Sequence, residues 1–226
     1  KTLVSIFVNP KQFNNIHDYK NYPNNLSKDI KLLKRLNVDF VYLPIAKEIF
    51  KDKKISRVKL LKSQKILCAK YRKGHFEGVL DIMNRFIKLI QPKYVFMGEK
   101  DYQQFYLVKK FLGHKYNTTI ILCKTIRNKK GTALSTRNFH LNESNMKNVA
   151  FITNKLKNLK NEISNNKVNA NKLVKSLKIK LIQKFKIKID YLEVRNTINL
   201  SSNIKNNDFK IFIAYYINDI RLIDNF

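Results

Sequence analysis

Three short stretches collect side chains able to grip a phosphorylated ligand. The first is Gly98-Glu99-Lys100-Asp101, followed by Gln104, directly after the apolar run 93–97. Gly98 lets a backbone approach closely, and Lys100 offers a point charge to phosphate oxygens. Asp101 can accept from a ribose hydroxyl or cap the helix behind it. That helix adds free N–H groups and a partial positive charge, both suited to phosphate. Gln104 falls one turn on from Asp101, on roughly the same face. Capping alone explains Asp101, but not Lys100 and Gln104 together. The second stretch is Asn9-Pro10-Lys11-Gln12-Phe13. Pro10 pushes Asn9 toward extended geometry, and the Asn9 and Gln12 amides can each donate and accept. That suits a small ligand bearing hydroxyls and a carboxylate; taken alone it reads as an ordinary Asn-Pro turn. The third is residues 131–138, where Ser135, Thr136 and Arg137 supply hydroxyls and a guanidinium for a polyphosphate leaving group. It is also a common cap sequence. The three together describe a nucleotide and a small polar acid bound across a domain junction. They do not name a reaction.

The elements that must position these groups alternate in type. Residues 2–8 form an apolar, β-branched run of strand length, and residues 25–37 carry helical spacing at Leu26, Ile30, Leu33 and Leu36. Residues 38–43 read as a strand stopped by Pro44, and residues 45–74 are lysine-rich and ambiguous. Then come an amphipathic helix over 76–90 ended by Gln91-Pro92, a strand over 93–97, a helix over 102–114 and a strand over 117–125. Such alternation predicts a parallel sheet covered on both faces by helices, with ligands at the carboxyl ends of its strands. After a polar loop over 125–138 the pattern changes to helices near 143–164 and 168–184, then strands over 189–195, 210–217 and 219–224. This predicts a second α+β domain, with the boundary near residue 126.

Hydrophobic residues make up 44% and aromatics 12%, so the chain is globular. No run is long enough to span a bilayer, and residues 1–10 read as a strand, not a leader peptide. The net charge is +30, from 46 Lys+Arg against 16 Asp+Glu. Such a balance raises the reading of a basic nucleic-acid-binding module. The lysines are spread along the chain, and Asn and Ile are abundant beside them, which favours compositional drift. Cys68 and Cys123 make no metal-ligand pattern and read as buried free thiols. His17, His75, His114 and His140 are scattered and read as surface or structural residues.

The runs 4–13, 22–33, 72–92, 96–104, 125–138, 190–195 and 221–225 resemble, in order and spacing, the pantothenate synthetase (pantoate–β-alanine ligase) family. The pair "SIFVNPKQF" and "GEKDYQQ" within one chain is highly specific. The resemblance implies an α/β fold: a Rossmann-like parallel sheet of the nucleotidyltransferase type over 1–126, with a smaller C-terminal α+β lid domain over 127–226. It implies a cytoplasmic homodimer whose substrates are (R)-pantoate, β-alanine and ATP, with Mg²⁺ accompanying the ATP. The implied reaction passes through pantoyl adenylate and releases pyrophosphate and AMP. Carried over, Gln12 and Gln104 hold pantoate and Asn9 lines the same pocket. Gly98, Glu99, Lys100 and Asp101 contact ATP, Lys100 at its phosphates and Asp101 at its ribose. Ile126 lies against adenine, and Leu134, Ser135, Thr136 and Arg137 form the lid loop. Lys100, Ser135 and Arg137 carry the catalytic charge neutralisation; no residue is assigned to a metal.

Several positions depart from the family pattern. The family reads Ser-Ser-Arg where this chain has Ser135-Thr136-Arg137, Arg-Glu where it has Arg127-Asn128, and often an aromatic where it has Met97. The family's upstream strand and His-x-Gly-His motif have no counterpart here; residues 111–114, Phe-Leu-Gly-His, match only in letters. The expectation is therefore the larger part of the enzyme, with an apolar sheet edge exposed. A non-catalytic remnant is the corresponding alternative.

Overall fold

β-branched and aromatic runs near the start do form strands, but shorter ones than the apolar stretches predict. In the computed structural model the described residues are 1–52, 58–165, 169–204 and 208–226. Strand β1 (Leu3–Ser5) pairs in parallel with β2 (Phe40–Tyr42), with Leu3 opposite Phe40. One further bond, Ile6 N–H to the Tyr42 carbonyl at 3.0 Å, extends the ladder before the chain turns into the 3-10 turn Pro10–Gln12. A parallel pair needs a crossover, supplied by α1 (Ile16–Lys20) and α2 (Leu26–Arg35). Asn15 and Asn25 cap these helices by accepting from the His17 and Lys28 N–H groups.

The ambiguous segment 45–74 holds α3 (Ala46–Ile49), a 3-10 turn at Lys62–Gln64 and α4 (Leu67–Tyr71); its residues 53–57 lie outside the described ones. Gly74, at φ 79, opens α5 (His75–Ile90), and Gln91 at φ 49 closes it ahead of Pro92. β3 (Tyr94–Gly98) and β4 (Thr119–Cys123) form another two-stranded sheet. Between them α6 (Tyr102–Val108) widens into a π turn at Lys109–Gly113.

The chain divides into two compact units. Unit 1 comprises residues 1–95 and 106–121, and removes Leu67, Val79, Leu80, Ile87, Leu107, Val108 and Leu112 from solvent. Unit 2 comprises residues 96–105 and 122–226. In it α7 (Glu143–Asn165) and α8 (Ala170–Phe185) pack on an antiparallel sheet of order β5 (Ile189–Asn196), β6 (Phe209–Ile217), β7 (Ile220–Asn225). Ile152, Leu156 and Ile163 of α7 and Leu181 of α8 share one apolar cluster with Ile211 and Ile213 of β6. The predicted helix pair and meander are both present. The part of the helix–helix linker at 166–168 lies outside the described residues.

Apolar strand side chains are exposed: Leu3, Phe40, Val41, Tyr94 and Phe96 all face solvent. The expectation for the thiols holds only in part. Cys68 is buried, but Cys123 is exposed, because it closes a strand whose burial is confined mainly to Ile120. Among the described residues no helix is long and apolar enough to cross a membrane.

Candidate active site

The 3-10 turn Glu99–Asp101 runs straight into α6. Gly98 ahead of it has φ −70, which any residue adopts, and a Cβ built there meets nothing within 4 Å. The glycine is thus not required by the fold, and the space beside it is open. The Lys100 Nζ lies 3.2 Å from an Asp101 carboxylate oxygen. That carboxylate is half exposed and serves as counter-charge to Lys100.

The Glu99 carboxylate is turned to the protein. It accepts from the Thr125 N–H at 3.2 Å and pairs with Lys210 of β6 at 2.7 Å. Burial works against its charge, yet Lys210 and the Thr125 N–H hold the carboxyl below its ordinary range. Lys160 of α7 donates to the carbonyls of Phe209 and Phe226 and lies 4.0 Å over the Phe209 ring. Burial and then Lys210 push its ammonium down to about 8.

The 126–137 loop folds back on itself. The Leu134 N–H donates to the Ile126 carbonyl at 3.0 Å, and Arg127 bridges Ala133. Ile126 and Leu134 are therefore neighbours, and both are exposed. Two adjacent uncovered aliphatic side chains suit a flat heteroaromatic ring. Gly131, at φ +83, makes the reversal possible. The Asn128 side chain accepts from the Lys130 and Thr132 N–H groups at 3.0 Å, so the residue standing where the family has Glu stabilises this turn. Ser135 caps the next turn by accepting from the Arg137 N–H at 3.3 Å, and Arg137 donates to the Arg221 carbonyl at 3.2 Å.

Strand β7 holds both pieces. Arg221 meets Arg137 near its start, while at its end the Asn225 amide donates to the carbonyls of Glu99 (2.8 Å) and Lys100 (3.0 Å). Between them Asp224 takes both terminal nitrogens of Arg127 at 2.8 Å. At strand rise the two anchor points are about 13 Å apart. Gln104 also belongs to unit 2 and is half-buried on α6.

Asn9 and Gln12 belong to unit 1. Asn9 is buried and its amide serves its own turn, accepting from the Lys11 N–H at 3.1 Å and donating to the Gly78 carbonyl at 3.0 Å. Gly78 is needed there, since a Cβ would stand 2.3 Å from the Lys11 carbonyl oxygen. Lys11 pairs with the buried Asp81 at 2.9 Å, and Asp81 also takes Arg85 at 2.8 Å. The Gln12 carbonyl is held by His75 Nδ1 at 2.7 Å and Arg72 at 3.2 Å. A carbonyl only accepts, so Nδ1 carries the proton; Nε2, 3.0 Å from the Arg72 guanidinium, then accepts. His75 is buried and its Nδ1 holds the Gln12 carbonyl. Reading the histidines by letter alone missed this, although "RKGHF" carries the resemblance and contains both residues. Asp224 and Asn225 were missed likewise: "RLIDN" resembles the family, but nothing in a strand's letters says what its end touches.

A model of the family described as Pantoate-beta-alanine ligase matches residues 1–226. The chain belongs to that family. Pantothenate synthetase of Leptospira interrogans is 39% identical over 228 residues, covering 100% of this chain and 80% of that protein. Its counterpart in Francisella tularensis subsp. novicida is 37% identical, covering 99% and 78%. Among solved structures, pantothenate synthetase from Thermus thermophilus superposes with a TM-score of 0.87 at 27% identity, over 99% of this chain and 82% of that one. Pantoate-beta-alanine ligase of Francisella tularensis, complexed with beta-gamma ATP and beta-alanine, gives 0.79 at 36% identity, over 99% and 78%. The pantoate–β-alanine ligase fold, a Rossmann-like domain followed by an α+β domain, is the fold of this chain.

Proposed function

We propose that this chain catalyses the ATP-dependent condensation of (R)-pantoate with β-alanine. A pantoate carboxylate oxygen attacks the α-phosphorus of ATP and pyrophosphate leaves. The β-alanine amine then attacks the acyl carbon of the adenylate, loses its proton, and AMP leaves. No side-chain nucleophile is needed; positioning and charge neutralisation suffice. The observation that carries this reading is the attachment of two ligand-gripping turns, Lys100-Asp101 and Ser135–Arg137, to one strand in a chain of this family.

In this reading Lys100 neutralises phosphate, Asp101 takes the ribose, and the backbone beside Gly98 and Glu99 approaches the nucleotide. Ile126 and Leu134 bracket adenine, and Ser135, Thr136 and Arg137 close on the phosphates. Gln12 and Gln104 hold pantoate, with Asn9 shaping the turn that presents Gln12. Among the described residues no three His, Cys, Asp or Glu converge on a metal position. Mg²⁺ would accompany the ATP, held chiefly by phosphate oxygens and water, and would neutralise phosphate charge. The functional division is an N-terminal nucleotide and pantoate domain over 1–126 and a lid over 127–226. The cytoplasmic homodimer implied by the sequence resemblance is part of the same proposal, and sedimentation checks the dimer. The deciding experiment is AMP release from ATP and Mg²⁺, with and without each substrate. AMP that requires both pantoate and β-alanine supports the ligase; none with both present overturns it.

A further inference from the structure

The strand end Asp224-Asn225 is buried, yet it reaches both pieces of the proposed nucleotide site. Asn225 is 3% exposed. Its side-chain nitrogen gives one hydrogen to the Glu99 carbonyl and the other to the Lys100 carbonyl. Those carbonyls belong to the two peptide planes flanking the Lys100 Cα. Each plane is rigid, so fixing both fixes φ and ψ of Lys100 and hence the direction in which its side chain leaves the backbone.

Asn225 is itself held on both sides. Its N–H donates to Asp224 Oδ1 at 2.8 Å, and its carbonyl accepts from Arg127 at 3.0 Å. The same guanidinium takes the Asp224 carboxylate in a bidentate pair and donates to the Gly131 carbonyl at 3.0 Å, at the tip of the 126–134 reversal. A carboxylate at position 225 could not replace the amide, because it has no hydrogen to give.

We propose that Asn225 is a positioning residue for the nucleotide-binding step: it aims Lys100 at the phosphates, and the Asp224–Arg127 pair keeps it in register with the 126–137 loop. This rests on the ATP-binding reading above. Outer-shell partners that orient metal ligands change affinity or activity about 10–100-fold when removed, and a loss on that scale is expected here.

The test is a double-mutant cycle in the full chain: Lys100→Ala, Asn225→Ala and both together. Two quantities are read: the affinity for Mg²⁺-ATP by calorimetry, and hydrogen exchange over residues 96–105. Asn225→Ala is expected to weaken ATP binding about 10-fold or more. The double variant should bind no more weakly than Lys100→Ala alone, since Asn225 acts through Lys100. Exchange over 96–105 should rise while 209–217 stays protected. A residue that merely supports the sheet would multiply its loss with that of Lys100→Ala, and that result overturns the proposal, as does wild-type affinity in Asn225→Ala. If the unaltered chain shows no ATP affinity, the ATP-binding reading falls. The exchange measurement then decides the positioning claim by itself, and unchanged exchange over 96–105 overturns it. Asn225→Leu, close in size and without donors, provides the same readings if the alanine variant unfolds.

Discussion

In residues 143–226 the apolar stripe of each helix meets an apolar sheet face, and Ile152, Leu156, Ile163, Leu181, Ile211 and Ile213 are fully or almost fully removed from water. In residues 1–50 the same kind of stripe exists without the same cover. Leu26 and Leu36 of the α2 region and Phe40 and Val41 of β2 are exposed, and Asn9 is the one residue of that stretch that is buried. Both regions have regular hydrophobic periodicity. Periodicity therefore places secondary structure in each, but only the second converts it into a core. The chain's stability should be concentrated in unit 2, to whose strand β7 the 99–101 and 135–137 turns are hydrogen-bonded.

The largest expected effect tests this contrast directly. Ile213→Ala should cost about 2–5 kcal/mol in chemical denaturation, the range for a buried aliphatic cut back to a methyl. A loss below about 1 kcal/mol would remove unit 2 as the stable half. Next, Lys100→Ala should lower the rate of adenylate formation about 100-fold or more, as expected for one charge-stabilising group, with the melting temperature unchanged. Gly131→Ala and Gly98→Ala separate fold from site. The first demands φ +83 of a residue with a Cβ and should cost about 1–2 kcal/mol. The second meets open space and should leave stability alone while weakening ATP binding.

A smaller effect concerns pH. The folded pKa of Lys160, about 8, lies below its ordinary 10.5. Between those values the unfolded chain binds the extra proton, so this residue's contribution to stability rises with pH. The stability difference between wild type and Lys160→Met should change between about pH 8 and pH 10, in the direction that favours wild type as pH rises, and be flat below about pH 7; the opposite slope would contradict the burial of that ammonium. The smallest effect is Leu36→Ser, expected within about 0.5 kcal/mol because Leu36 is already exposed.

The order of elements was legible because runs such as 76–90 and 210–217 have clear periods, and Gln91-Pro92 marks a helix end. Strand lengths at 2–8 and 38–43 were not, since three residues of ladder and three of loop look alike when both are apolar. The residue types proposed to grip a ligand, at 98–101 and 135–137, stood out by chemistry. Their supports did not. Asn225 holding the Glu99 and Lys100 carbonyls, His75 holding Gln12, and Gly78 making room for Lys11 are meetings between distant segments, and no local pattern encodes a partner.

The pin between Asn225 and the Lys100 turn spans 125 residues of chain, and that between Asn225 and Glu99 spans 126. Contacts that close so long a stretch form late, because the intervening chain must give up its freedom before they can be made. The order of assembly is thereby set: α7 and α8 can wind and the β6–β7 hairpin can close on local contacts, while the Lys100 turn waits for the end of β7 to arrive. On refolding, helical ellipticity should recover before the capacity to bind nucleotide does, and the delay between them is the time taken to draw that long loop shut.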